Sequence, residues 1–151
     1  MPNIFRVDVE GADEMLAEIE QLGLVGLVAA RDALSAKAKE IKAKAYPLVP
    51  DDPESPGLLK DTLRVYAPRT SSLKPGKTIF AGVVAGGKKL ESRLGKRKAN
   101  VSALIQHEDL TLKHKHGQAK YLERPGNDVA PSIPDAIMAN LDAATGGMGA
   151  R

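Results

Sequence analysis

The chain has no cysteine and no tryptophan, and only two phenylalanines and three tyrosines among its 151 residues. The missing cysteine excludes disulfides, thiol nucleophiles and Cys-ligated zinc or iron–sulfur sites. It fits a reducing compartment of synthesis. With 42% apolar but only 3% aromatic residues, the core must be built from Ala, Val, Ile and Leu. Such a core is modest, so contacts with neighbouring subunits are expected to add stability. The start, MPNIFRVD, lacks a basic region followed by an apolar run, so no signal peptide is expected. No apolar run reaches transmembrane length. A soluble protein made in the cytoplasm, with no membrane partner, is the expectation.

Net charge is +3, unevenly spread. Residues 1–21 hold six acids (Asp8, Glu10, Asp13, Glu14, Glu18, Glu20) against Arg6. The stretch 88–98, KKLESRLGKRK, holds six bases (Lys88, Lys89, Arg93, Lys96, Arg97, Lys98) against Glu91. The molecule is polarised, with one basic segment, rather than uniformly basic.

Ile4 to Val9 alternates in strand fashion and ends at Gly11. Asp13 then reads as a helix cap. From Asp13 to Ala45 the pattern is helical, with Gly23 and Gly26 predicted to break or kink it. Leu27, Leu34, Ile41 and Leu48 form the expected core stripe, with Ala30, Ala38 and Ala45 beside it. Lys37, Lys39, Glu40, Lys42 and Lys44 form the solvated face. Residues 46–57, YPLVPDDPESPG, read as a rigid extended connector.

Residues 63–68 and 78–85 are expected to pair as a hairpin, and Asn100 to His107 to add a further strand. Long loops are expected at 88–98 and 108–126. Ser132 is predicted to cap a final helix, with Pro134 in its first turn and Asp135 completing a capping-box-like arrangement. Ile133, Ile137, Leu141 and Ala144 share one face of it. The reading is one α+β domain over residues 1–145, with a flexible tail at 146–151. An antiparallel sheet of about four strands carries a long N-terminal helix and a C-terminal helix.

No constellation supports catalysis. His107, Glu108 and Asp109 with His114 and His116 lack metalloprotease spacing, and Lys113, Lys115 and Lys120 around them repel a cation. No G-x-S-x-G is present, and Gly86-Gly87-Lys88-Lys89 lacks phosphate-loop spacing. Asp51 and Asp52 sit in the proline-rich connector, poorly placed for acid–base work. Neither an enzyme nor a cofactor is expected. The basic loop 88–98 admits two uses: backbone contact with nucleic acid, or docking on an acidic protein surface. It has no aromatic for base stacking.

Four stretches, in order, resemble one known family. They are IFRVDVEGADEMLAEI, AKAYPLVPDDPESPGLLKDTLRV, VSALIQHEDLTLKHKHGQAKYLERPG and the closing helix. The segment GQAKYLERP, Gly117 to Pro125, is the most specific. The family is the tail-completion, or neck, proteins of long-tailed siphovirus-like phages, also termed head–tail joining or minor capsid proteins. The chain is similar to the lambda minor tail protein Z group within it. It departs at Thr62, where Ser is usual, at Ala103 within SALIQHE, and in its long basic 88–98 insertion.

The resemblance implies a virion structural protein, not an enzyme. Such a protein forms a ring where the DNA-filled head meets the tail. Its partners are copies of itself, a hexamer favoured and a dodecamer possible, and other neck and tail proteins. Non-specific DNA contact in the lumen is the remaining implied contact. Gln106, His107, Glu108, Gln118, Lys120 and Tyr121 are the expected interface residues. The alternative is a nucleic-acid-binding protein that uses loop 88–98.

Overall fold

The computed structural model describes residues 12–51, 57–86, 110–111 and 117–146. Two helices open this part: α1, Ala12–Leu22, and α2, Leu24–Ala45. Asp13 lies inside the first turn of α1 rather than capping it. Gly23 separates the two helices with φ +58, a left-handed conformation costly for other residues. Gly26 does not break the chain. It sits within α2, where a Cβ would meet the Ile19 carbonyl oxygen at 2.7 Å. Its missing side chain lets the end of α1 fold closely onto α2.

The buried face of α2 is the alanine face. Ala29, Ala30, Ala33, Ala38 and Ala45 are buried with Gly26 and Leu27, whereas Leu34, Ile41 and Leu48 are only half-buried. This corrects the expected leucine stripe. The reason lies in the partner helices, whose bulky side chains need a shallow surface to sit on. Lys37 and Lys44 pair with Glu40 on the solvated side, at 3.0 and 3.4 Å. The hydrogen bonds from Lys37 and then Lys44 hold the Glu40 carboxyl below its ordinary pKa.

Two strands follow, β1 (Arg64–Tyr66) and β2 (Gly82–Val84), paired antiparallel with Val65 opposite Val83. The predicted hairpin is present, though each strand is only three residues long. Among the described residues the sheet has two strands, not four. The other expected strands, 4–9 and 100–107, lie outside the described residues, as does loop 88–98.

Helix α3, Glu123–Val129, takes up the last four residues of the expected loop at 108–126, which corrects its end. Pro125 and Gly126 lie inside the helix. Pro125 stands third, where the N–H it lacks has no intrahelical partner in any case. A 3₁₀ turn, Ala130–Ser132, leads directly into α4, Ile133–Ala144. Ser132 therefore keeps helical dihedrals and does not cap α4; its hydroxyl donates to the Val129 carbonyl at 2.7 Å. Ile133, Ile137 and Leu141 of α4 are buried as expected, while Ala144 is exposed.

Two apolar clusters meet along α2. The first joins Met15 and Ile19 of α1, Leu27, Ala29, Ala30 and Ala33 of α2, and Ile133, Ile137 and Leu141 of α4. Leu73 and Ile79 of the hairpin loop pack against it. The Asn140 amide donates to the Ala29 carbonyl at 3.2 Å, linking α4 to α2 across the alanine face. The second cluster joins Ala45, Val49, Leu59, Leu63, Tyr121 and Leu122, with Val83 and Ala85 against it. No helix among the described residues is long and apolar enough to cross a membrane.

Thr62 connects the hairpin to this second cluster. Buried, it donates to the Leu59 carbonyl at 2.6 Å and accepts from the Gly86 N–H at 2.8 Å. Thr62→Val keeps the shape but leaves the Gly86 N–H buried without that acceptor. A loss of about 1–3 kcal/mol is expected, read from the shift in urea midpoint at unchanged slope.

Candidate assembly interface

Of the six expected interface residues, Gln106, His107 and Glu108 lie outside the described residues. So do all three histidines and the six bases Lys88, Lys89, Arg93, Lys96, Arg97 and Lys98. Gln118, Lys120 and Tyr121 fall in one turn ahead of α3, and the structure gives each a different position.

The turn begins at Gly117, whose φ is +85. The chain passes so close to the 46–51 segment that a Cβ here would lie 2.6 Å from Val49 C, Pro50 N and Pro50 Cα. One residue on, the Gln118 N–H donates to the Leu48 carbonyl at 2.8 Å. The Gln118 side chain faces outward and accepts from the Arg124 guanidinium at 2.8 Å. Lys120 adopts φ +58, rare for a residue with a side chain, and pairs with Glu123 at 2.9 Å. That twist returns the chain inward. Tyr121 is 1% exposed and forms the largest member of the second cluster.

Gln118 and Lys120 are thus surface groups, while Tyr121 is a core group whose ring faces Ala45, Val49, Leu59 and Leu63. The Tyr-Leu pair in KYLERP builds the interior. Burial pushes the Tyr121 phenol well above its ordinary pKa of 10.0. The unfolded chain releases that proton near pH 10 and the folded one does not, so the folded state binds more protons at alkaline pH. Stability is therefore intact below about pH 10 and falls as pH rises beyond it, by at most about 1.4 kcal/mol per unit from this group. Urea titrations across the alkaline range check this, with Tyr121→Phe expected to flatten the slope.

The 46–51 segment is not the fully extended connector expected. Tyr46–Leu48 makes a 3₁₀ turn, and Val49 and Pro50 are buried. Asp51 accepts from the Gly57 N–H at 2.7 Å and pairs with Lys60 at 3.3 Å. Its carboxylate joins the two ends of the proline-rich passage. The helix-to-proline passage and the GQAKYLERP segment, far apart in sequence, therefore share one core.

No family model, curated protein or solved structure matches this chain.

Several large apolar groups that the sequence patterns did not single out are exposed: Leu24, Val25, Tyr46, Tyr66, Phe80 and Leu110. Leu24 and Val25 begin α2 at the elbow with α1, beside exposed Glu20 and Gln21. On the hairpin, Arg64 and Tyr66 point outward while Val65 is half-buried. Gly82 lies opposite Tyr66 and has no side chain. The Phe80 ring passes over it, within 3.7 Å of where a Cβ would stand. This brings the Phe80 and Tyr66 ring centroids to 6.0 Å at an interplanar angle of 45°. Leu24 and Val25 are ordinary members of α2 and Tyr66 of β1, while Phe80 precedes β2. Their exposure depends on what packs elsewhere.

Proposed function

We propose that this chain is a structural subunit of a tailed-phage particle that assembles into a ring in the neck, joining the DNA-filled head to the tail. One observation carries the reading. Two of the stretches that carry the neck-protein resemblance, GQAKYLERP, the most specific, and the described part of the helix-to-proline passage, weak by itself, pack on each other through Gly117, the Gln118–Leu48 hydrogen bond and buried Tyr121. Motif residues distant in sequence that build one shared core are what a common fold would require of them. Exposed apolar groups on a small domain add support, since subunits of an assembly bury such groups against neighbours.

A ring of identical subunits needs a heterologous contact, in which two different patches of each copy complement one another. The test is the mass of the intact oligomer in solution over a range of concentrations. A hexamer is the expected result, or a dodecamer if the ring follows portal symmetry. A chain that stays monomeric at every concentration, alone and with purified heads, would sink the proposal. Nucleic-acid binding through loop 88–98 remains the rival use. It predicts a steep fall of DNA affinity with salt and its loss on charge reversal at Lys96, Arg97 and Lys98.

A further inference from the structure

We infer that the elbow of one copy docks on the hairpin face of the next, with an apolar contact at the centre and opposite charges around it. This rests on the ring reading and names the two patches that make the ring.

The elbow patch centres on Leu24 and Val25, 57% and 53% exposed. Its charge is of one sign. From Val7 to Ala30 the sequence contains no base, and on α1 Glu20 is exposed and Glu18 half-exposed. The hairpin patch centres on Tyr66 and Phe80, 52% and 40% exposed. Its charge is of the other sign. Between Thr62 and Gly86 there is no acid, and Arg64, Arg69, Lys74 and Lys77 are all exposed. Arg64 shares the outward side of β1 with Tyr66.

Each patch is thus an apolar pair on a segment whose own charges are of a single sign, and the signs are opposite; the exposed acids nearest the hairpin, Asp32 and Asp61, belong to other segments. Neither satisfies a second copy of itself, because like charges would then face each other. Each satisfies the other patch on another copy. The desolvated pair in the middle supplies affinity, aromatic and arginine side chains being frequent anchors. The surrounding charges fix partner choice and orientation. A contact between unlike patches is the heterologous kind that closes into a ring.

The experiment uses two full-length variants. Glu18→Lys with Glu20→Lys makes both patches basic; Arg69→Glu, Lys74→Glu and Lys77→Glu together outweigh the remaining Arg64 and make both acidic. Each alone is expected to assemble about tenfold or more weakly than the parent chain. Mixed in equal amounts, they are expected to recover assembly, because an alternating ring makes every contact complementary again. Circular dichroism confirms that each variant is folded. A second measurement uses the absence of native cysteine. Val25→Cys in one copy and Phe80→Cys in another should be joined by a bifunctional maleimide only in the mixture, at the oligomer's concentration.

Variants that assemble like the parent, or a mixture that neither recovers nor cross-links while the parent forms rings, overturn the inference and leave the ring reading standing. A parent chain that never assembles overturns both.

Discussion

Gly117→Ala is expected to be among the most damaging single substitutions in the chain, with a loss of about 3 kcal/mol or more. Two costs combine. A left-handed residue with a Cβ costs about 1–2 kcal/mol by itself. The new methyl carbon would also stand 2.6 Å from Val49 C, Pro50 N and Pro50 Cα, all backbone atoms that cannot rotate aside. Relief requires the 117–122 turn to move away from the 46–51 segment. That movement stretches the Gln118–Leu48 hydrogen bond and withdraws Tyr121 from its cluster. A control separates the two costs. Gly76 has φ +72 with open space around it, so Gly76→Ala carries only the conformational cost, about 1–2 kcal/mol. Urea unfolding of both variants gives the difference. Equal losses would show that the close approach at Gly117 contributes nothing.

Tyr121→Ala is expected to cost about 3–5 kcal/mol, the range for removing a fully buried aromatic side chain. The ring fills the space between Ala45, Val49, Leu59, Leu63 and Leu122. Two of its neighbours are too small or too constrained to collapse into the gap: Ala45 is held in α2, and Val49 lies at the tight approach beside Pro50. Tyr121→Phe keeps the ring and most of the stability. Hydrogen exchange adds a spatial check. Opening is expected to become easier first in the 117–129 turn and α3, while amides of α2 near Ala30 and of α4 near Leu141 stay protected through the other cluster. Uniform loss across both clusters would show that they open as one unit.

Both predictions concern the segment the sequence marked as most specific, and they revise its role. KYLERP fell within the expected loop 108–126, with Tyr121 as an expected interface residue, whereas the structure buries Tyr121 and starts α3 at Glu123. Strong local signals did translate into structure. The helical pattern ending at Ala45, the break at Gly23, the hairpin of 63–68 with 78–85, and the Ile133–Ile137–Leu141 face all appear. Each follows from the period of the chain itself, which needs no partner to be recognised.

What failed depended on partners. Of the apolar stripe at seven-residue spacing, Leu27 is buried, whereas Leu34, Ile41 and Leu48 are half-buried and the alanines beside them take the core, because the bulk of α4 comes from across the fold. Ser132 lost its capping role because α3, unforeseen, runs into it through a 3₁₀ turn. Among the candidate interface residues, Gln118 and Lys120 stand on the surface and Tyr121 beneath it, a division set by the left-handed twist at Lys120.

Composition and period alone determined that this chain has no thiol chemistry and builds an α+β domain around a long helix. They also determined that its charge is split between an acidic start and a basic segment. Only the tertiary structure decided which face of that helix is buried and that two stretches distant in sequence meet at Gly117. It alone left Leu24, Val25, Tyr66 and Phe80 uncovered. The physical reason is that periodicity is a property of neighbours along the chain, whereas burial is set by whatever the fold brings against each residue.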